Sequence, residues 1–267
     1  STIAAQTNTY HGAAPQVSYY LMRSEENNSE SPKEMDNLLA ALEKADSLGV
    51  NIFSVSLGYY EVDNSLLNLT YAKMDGHSTR ASRGATIAAR KGMLVVAAMG
   101  NEGNKSWHYL CAPADADSIL SVGAVKADST IANFSSRGPS YDGRVKPEVC
   151  ARGYQTSIIT PEGIIINGNG TSFATPLIAG LAATLWSAMP MATAHQVRAL
   201  IIHSCHHYLC PDGEYGYGIP NAEMLWRQNT GDSSPITNKV NVPRKVLIQG
   251  HLYIEKDSNL ISAFLLR

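Results

Sequence analysis

The chain has 267 residues, of which 44% are hydrophobic and 16% charged, so it can bury a core and is not compositionally disordered. Its 21 Lys and Arg residues against 23 Asp and Glu give a formal net charge of -2, which argues against a nucleic-acid-binding or membrane-surface protein. No apolar run approaches the roughly 20 residues that span a bilayer.

The first part of the chain alternates between strand and helix signals. Residues 19–22, Tyr-Tyr-Leu-Met, predict a short buried strand. Ser31 opens a capping box with Pro at the first helical position, and apolar residues at helical spacing carry this helix to Gly49. Residues 51–57 predict a second strand, which ends at Gly58.

The central part of the chain continues the alternation. Residues 79–91 predict a helix that Gly92 stops, while 93–98 and 119–125 are continuous apolar runs too short for helices. Nearly unbroken apolar strands separated by helices are typical of a parallel sheet covered on both faces. We therefore predict an α/β fold with helices on both faces of a parallel sheet.

The last part of the chain contains a helix that is apolar on nearly every side, residues 172–189, followed by a second helix, 194–204. Linker-like composition begins after Gln228. We expect a domain over residues 1–228, then a linker and a short β-hairpin tail over 229–267. The hairpin strands would be 246–248 and 252–254.

A glycine-rich turn leads into the first of these helices and places Ser172 at its mouth. Unpaired backbone N–H groups and the positive end of the helix dipole at this position stabilise a developing oxyanion, so a nucleophile profits there. The alternative is that Thr171 or Ser172 is only an N-cap.

A second polar residue follows a buried strand. Asn101 comes just past the run 93–98, where open α/β sheets place their ligand crevices. Its amide could donate a hydrogen bond to an oxyanion. The alternative is an asparagine that shapes a turn between two glycines.

Both segments resemble the subtilisin-like serine proteases, or subtilases. Residues 169–176 are similar to the family's nucleophile motif, and 97–103 to the segment that carries its oxyanion-hole asparagine. Shorter matches at 134–139, 146–149 and 216–218 follow in family order, so the resemblance covers roughly 1–228. It also implies two walls of a substrate cleft, formed by Ser56, Leu57 and Gly58 and by Ala98, Met99 and Gly100.

The segments that resemble the family do not include its general base, the catalytic His. In subtilases the catalytic Asp follows the first strand, and the catalytic His lies in a His-Gly-Thr-His motif before a segment that ends in Ala-Pro. Here Ala14 and Pro15 match that ending, and residues 1–5 are similar to the family's segment just after the histidine motif. The resemblance therefore implies that Asp and His come from an upstream segment or companion chain, without which this chain is inactive.

The activity implied by the resemblance is peptide hydrolysis by a serine endopeptidase, with Ser172 as nucleophile and Asn101 in the oxyanion hole. Peptides or proteins would be the substrates, and the protein would be secreted, periplasmic or cell-surface. No cofactor is expected; subtilases often bind structural calcium, but no acidic cluster in the sequence locates such a site. The wall at Ala98–Gly100 is compatible with a roomy hydrophobic pocket.

Three other interpretations use different residues. In the first alternative, the chain is a subtilase-like binding module that never had its base. In the second, it is an α/β-hydrolase in which Asp212 or Asp232 and His251 complete a triad with Ser172. In the second case Ala174 stands where the nucleophile elbow has its second glycine. The Cys and His residues of 203–210 suggest zinc, although their spacing fits no common zinc pattern.

Overall fold

A computed structural model describes residues 1–26 and 28–231 of the protein and, for the backbone, 261–266. Its central sheet is parallel and runs in the order β1, β8, β2, β3, β4, β5. The strands of this sheet are β1, Ser18–Arg23; β2, Ile52–Val55; β3, Leu94–Ala98; β4, Leu120–Val125; β5, Val149–Arg152; and β8, Ile261–Leu266. The helices α1 to α5 are Pro32–Ser47, Arg80–Arg90, Thr171–Ala188, Ala194–His203 and Ala222–Thr230.

Helices cover both faces of the sheet, as the unbroken apolar strands predict. Successive side chains of a strand point to opposite faces, so Leu94 and Val96 of β3 enter a core with α3 and α4. Val95 and Ala97 enter a second core with α1 and α2 on the other face. The predicted fold class is therefore confirmed, and the parallel strands direct their carboxyl ends towards one edge of the sheet.

The helix boundaries follow the local signals in the sequence. The capping box of Ser31 and Glu34 is present at the start of α1, and the helix ends before Gly49, whose φ of +70° favours glycine. The hydroxyl of Thr79 caps α2 by accepting from the N–H of Ser82 at 3.0 Å.

Two features were not predicted from the sequence. An antiparallel hairpin of β6, Thr156–Ile159, and β7, Ile165–Gly168, immediately precedes α3. In addition, β8 lies between β1 and β2 and runs parallel to both, so that β1 joins the sheet through β8.

The predicted tail lies largely outside the described residues. This applies to the hairpin strands 246–248 and 252–254 and to Asp232 and His251. The boundary at Gln228 stays a prediction, although α5 continues to Thr230. Within the part of the chain that is described, no helix is both long enough and apolar enough to span a bilayer.

The start of α4 provides a test of local stability. Thr193 Oγ1 accepts from Gln196 N at 3.2 Å, and Gln196 Oε1 accepts from Thr193 N at 2.8 Å. We expect Thr193→Ala to lower the free energy of unfolding by about 1 kcal/mol, because one helix N–H loses its acceptor. Urea denaturation would measure this. Thr70 makes no side-chain cap, so Thr70→Ala serves as the control, and equal losses in both variants would contradict the capping role.

Candidate active site

Ser172 lies where the start of α3 meets the carboxyl end of β2. It is the second residue of the helix and is partly exposed. Its Oγ donates to the carbonyl of Ser56 at 3.3 Å, and the hydroxyl of Ser56 donates to the carbonyl of Ser172 at 3.1 Å. These reciprocal bonds hold the helix start against the residue that follows β2.

The orientation of the Asn101 amide is fixed by the same turn. Its Oδ1 accepts from Thr171 N at 2.9 Å and from Thr171 Oγ1 at 3.1 Å. Because a backbone N–H can only donate, the amide atom that faces Thr171 must be the oxygen. The Nδ2 group is therefore turned the other way, and a Cβ built on Gly170 would lie 3.7 Å from it.

Two hydrogen-bond donors thus lie at the turn that leads into α3. One is Nδ2 of Asn101, and the other is the backbone N–H of Ser172, which belongs to the first turn of α3 and has no intrahelical acceptor. The positive end of the helix dipole adds to their field. Donors and a positive helix end that lie together can stabilise an oxygen anion.

A cavity of about 870 Å³ opens at this point. Seven of the eight predicted site residues line it, namely Ser56, Leu57, Gly58, Ala98, Gly100, Asn101 and Ser172. Met99 does not, because its fully buried side chain points into the core of α1 and α2. Its backbone carbonyl instead accepts from the N–H of Cys111 at 3.0 Å.

Several residues of the site were missed in the sequence. Thr171 was weighed only as a cap, yet it fixes the amide of Asn101. Cys111 and residues 159–161 of the β6–β7 hairpin also line the cavity. The sequence carries no signal for these contacts, since they depend on loops that return to the sheet from elsewhere in the chain.

The charged side chains that line the cavity are carboxylates. They are Glu25, Glu30 and Glu102, and among the described histidines none lines the cavity. Glu102 accepts from the hydroxyl of Tyr60 at 2.8 Å and pairs with Lys105 at 3.1 Å. Burial and the neighbouring Glu102 raise the pKa of the Tyr60 hydroxyl, which therefore remains a donor at neutral pH.

One group of carboxylates has the spacing of a cation site. The oxygens of Glu25, Glu30 and Glu34 lie within 4.8 Å of one another. Protein donors already bind this group: Glu25 accepts from the hydroxyl of Tyr59 at 2.8 Å, and Glu34 accepts from two backbone N–H groups that precede α1. Protein donors therefore account for much of the cluster without an ion.

The zinc interpretation of residues 203–210 has no support in the described part of the chain. The Cys and His groups there do not gather into a cluster with ligand spacing. Nδ1 of His206 accepts from the N–H of Ile219 at 3.0 Å, and the thiol of Cys205 donates to the carbonyl of Ile201 at 3.3 Å. These side chains serve local structure.

Comparison with known proteins gives consistent findings. The sequence profile of the subtilase family, peptidase S8, matches residues 1–218. Subtilisin DY of Bacillus licheniformis is 32% identical over 225 residues, which cover 83% of this chain and 73% of that protein. Subtilisin E of Bacillus subtilis (strain 168) is 31% identical over 225 residues, which cover 83% of this chain and 53% of the relative.

The solved structures with a similar fold include the self-cleaved protease domain of PatA. Its TM-score is 0.66 at 23% identity, with 87% of this chain and 82% of that chain covered. The prenylagaramide maturation protease PagA has a TM-score of 0.59 at 25% identity, covering 74% of this chain and 69% of the other. These likenesses concern the fold.

Proposed function

Because the chain belongs to the subtilase family of serine proteases, we propose that it is an endopeptidase whose nucleophile is Ser172 and whose oxyanion donors are Asn101 and the Ser172 N–H. The observation that carries this proposal is the meeting of the Ser172 hydroxyl and the Asn101 amide at one helix start, in a cavity large enough for a peptide segment. Family membership excludes the α/β-hydrolase alternative.

In the proposed reaction a base removes the proton of Ser172 as Oγ attacks a peptide carbonyl. The carbonyl oxygen becomes an anion that Asn101 Nδ2 and the Ser172 N–H stabilise. The base then protonates the leaving amine, the C–N bond breaks, and water hydrolyses the resulting acyl-enzyme. The bond from Ser172 Oγ to the carbonyl of Ser56, 3.3 Å long, is exchanged for one to the base.

The substrate backbone is proposed to lie along Ser56, Leu57 and Gly58 as an added strand. These residues continue β2 past its last paired residue and border the cavity that contains Ser172. Hydrogen bonds to the substrate main chain would give affinity, and the pocket between the two walls would select one side chain.

The base is proposed to come, with its Asp, from an upstream segment or a companion chain. This is supported by the composition of the cavity, in which none of the described lining residues is a histidine. A binding module without turnover is the alternative, and it accounts for the same observation equally well. The relatives support an extracellular or periplasmic location.

The presence of the base is testable by complementation. Chain 1–267 would be assayed for peptide hydrolysis alone and together with the Asp- and His-bearing segment of a subtilisin relative. We expect activity only in the complemented protein. Peptide binding without turnover in both samples would favour the binding module. If chain 1–267 alone hydrolysed the peptide as fast as the complemented protein, the base would lie within chain 1–267.

Asn101 provides a second test of the site. In the complemented protein we expect Asn101→Ala to lower kcat by roughly 10²–10³ with little change in KM, because the lost bond forms only to the oxyanion. That magnitude is the one known for subtilisin itself, so it is not independent of the family. Asn104→Ala is the matched control, since Asn104 is exposed and does not line the cavity. Equal kcat values in both variants would contradict the assignment of Asn101 to the oxyanion hole.

A further inference from the structure

We propose that the place of β8 in the central sheet is a slot for one parallel strand, and that residues 261–266 are its exchangeable occupant. In the proposed enzyme, a strand of the companion segment displaces β8, so that β8 holds the uncomplemented chain inactive. This displacement rests on the proposed function, whereas the exchange of strands in the slot does not, and the two are tested separately.

The slot lies between two strands that do not pair with each other. Residues 261–266 pair in parallel with the whole of β1, and residues 262–265 with the whole of β2. In the part of the chain that the structure describes, β1 pairs with no other strand of the sheet. A single strand therefore fills the space between β1 and β2 and forms a backbone ladder on both of its sides.

The buried backbone of β1 and β2 requires an occupant in the slot. All four residues of β2 are buried, as are Ser18 and Tyr19 of β1. Their backbone N–H and C=O groups need partners, and β3 pairs only the other side of β2. Main-chain bonds of this kind accept many sequences, provided that the strand is apolar enough for a buried position. Residues 261–266, Ile-Ser-Ala-Phe-Leu-Leu, carry no charge and include no Pro or Gly.

An occupant of the slot ends beside the candidate active site. Val55, the last residue of β2, is the register partner of Leu265 in β8. The residue after it, Ser56, accepts the hydrogen bond of Ser172 Oγ at 3.3 Å. Residues of both β1 and β2 line the cavity that contains Ser172. A residue that directly follows an occupant strand is therefore delivered to the edge of the sheet where Ser172 needs a base.

The occupant competes from within the chain. Residues 232–260 connect α5 to β8, so β8 meets the slot at an effective concentration, on the order of mM for a tethered segment. A free strand of the same sequence therefore binds poorly while β8 is in place. A companion segment can displace β8 because it adds contacts in the cavity to those of its strand.

Strand exchange is tested with a fluorescein-labelled peptide of residues 258–267, whose binding to chain 1–267 is followed by fluorescence anisotropy. Ala263→Pro in the chain removes a ladder N–H from β8 and should release it from the slot. We expect this variant to bind the peptide at least about 10-fold more tightly than the wild type, because the tethered competitor is lost. A peptide that itself carries Ala263→Pro is the control and should bind to neither protein.

A disulfide lock tests displacement by the companion segment. Ser18 and Ile261 are register partners at the start of their strands. Neighbouring strands lie about 4.8 Å apart, within the roughly 4.4–6.8 Å that separates the Cα atoms of a disulfide. In the double variant Ser18→Cys and Ile261→Cys, oxidation should abolish activation by the Asp- and His-bearing segment of a subtilisin relative, and dithiothreitol should restore it. Ser18→Cys alone is the control and should be activated equally in both redox states.

Equal peptide affinities of the wild type and a folded Ala263→Pro protein would overturn the proposal. Equal activation of the oxidised and the reduced double variant would also overturn it, and this result decides alone if circular dichroism shows that Ala263→Pro unfolds the chain. Failure of the proposed function gives a different pattern, in which the peptide still exchanges but no hydrolysis in either redox state depends on Ser172.

Discussion

Replacement of Ser172 by Ala is expected to reduce peptide hydrolysis by the complemented protein to background. Removal of the nucleophile costs a factor of about 10⁶ in kcat in subtilisin, which is a relative and so not an independent calibration. The fold should survive, because Ser172 is partly exposed and its hydroxyl makes only a 3.3 Å bond. Initial rates on a peptide substrate and the thermal unfolding midpoint would be measured together.

The matched control is Ser187→Ala. Ser187 lies on the same helix, about 22 Å from Ser172 at the rise of an α-helix, and its hydroxyl bonds locally to Thr184 O at 2.7 Å. This variant should keep full activity. A folded Ser172→Ala protein that retains more than about 1% of the wild-type rate would assign the reaction to another group, since a loss of roughly 10⁶ is expected.

The parts of the fold that were predictable are those whose local signals agree with their packing. The runs 93–98 and 119–125 are buried on both faces, so their composition alone indicates central strands. The β6–β7 hairpin was not predictable in this way, because β7 is largely exposed and has no apolar alternation. The position of β8 was not predictable from the sequence either, since it depends on backbone pairing with β1 and β2.

The residues of the candidate site were also predictable only where a local motif marks them. The proximity of Ser172 and Asn101 was predictable because each lies at the end of an element with a recognisable motif, and the structure brings them to the same turn. Their catalytic roles stay a prediction. Cys111 was not predictable, because its segment shows neither strand nor helix periodicity. It reaches the pocket through an isolated bridge between Tyr59 and Ala112, a contact between residues far apart in sequence.

A buried ion network links the sheet to α4. Glu148 is 4% exposed, and its carboxylate accepts from Lys146 Nζ at 2.8 Å and from Arg198 Nη2 at 3.2 Å. The hydroxyl and N–H of Ser121 in β4 donate to it at 2.6 and 2.7 Å. Lys146 is itself only 1% exposed and donates also to the carbonyl of Ala116 at 2.8 Å.

The cations and donors around Glu148 favour its charged form. Burial acts to raise the pKa of Glu148, but the cations of Lys146 and Arg198 and the Ser121 donors outweigh burial, so the pKa is lowered. A carboxyl with a lowered folded-state pKa stabilises the protein above its unfolded pKa. This contribution is lost as the pH falls through the folded pKa, so at neutral pH it is fully present.

Glu148→Gln is accordingly expected to lower the free energy of unfolding at pH 7 by about 3–5 kcal/mol, because it leaves the Lys146 ammonium buried without its counter-charge. Urea denaturation would measure the change. Glu223→Gln is the control: Glu223 pairs with Arg227 at 2.6 Å, but both side chains are about half exposed, so its loss should stay under about 1 kcal/mol.

A double-mutant cycle measures the interaction between Lys146 and Glu148. If the cost comes from the uncompensated charge, then Lys146→Met combined with Glu148→Gln must destabilise less than the sum of the two single changes. Additive losses, or a Glu148→Gln protein as stable as the Glu223→Gln control, would mean that Lys146 finds other partners and that the network is not held together by charge.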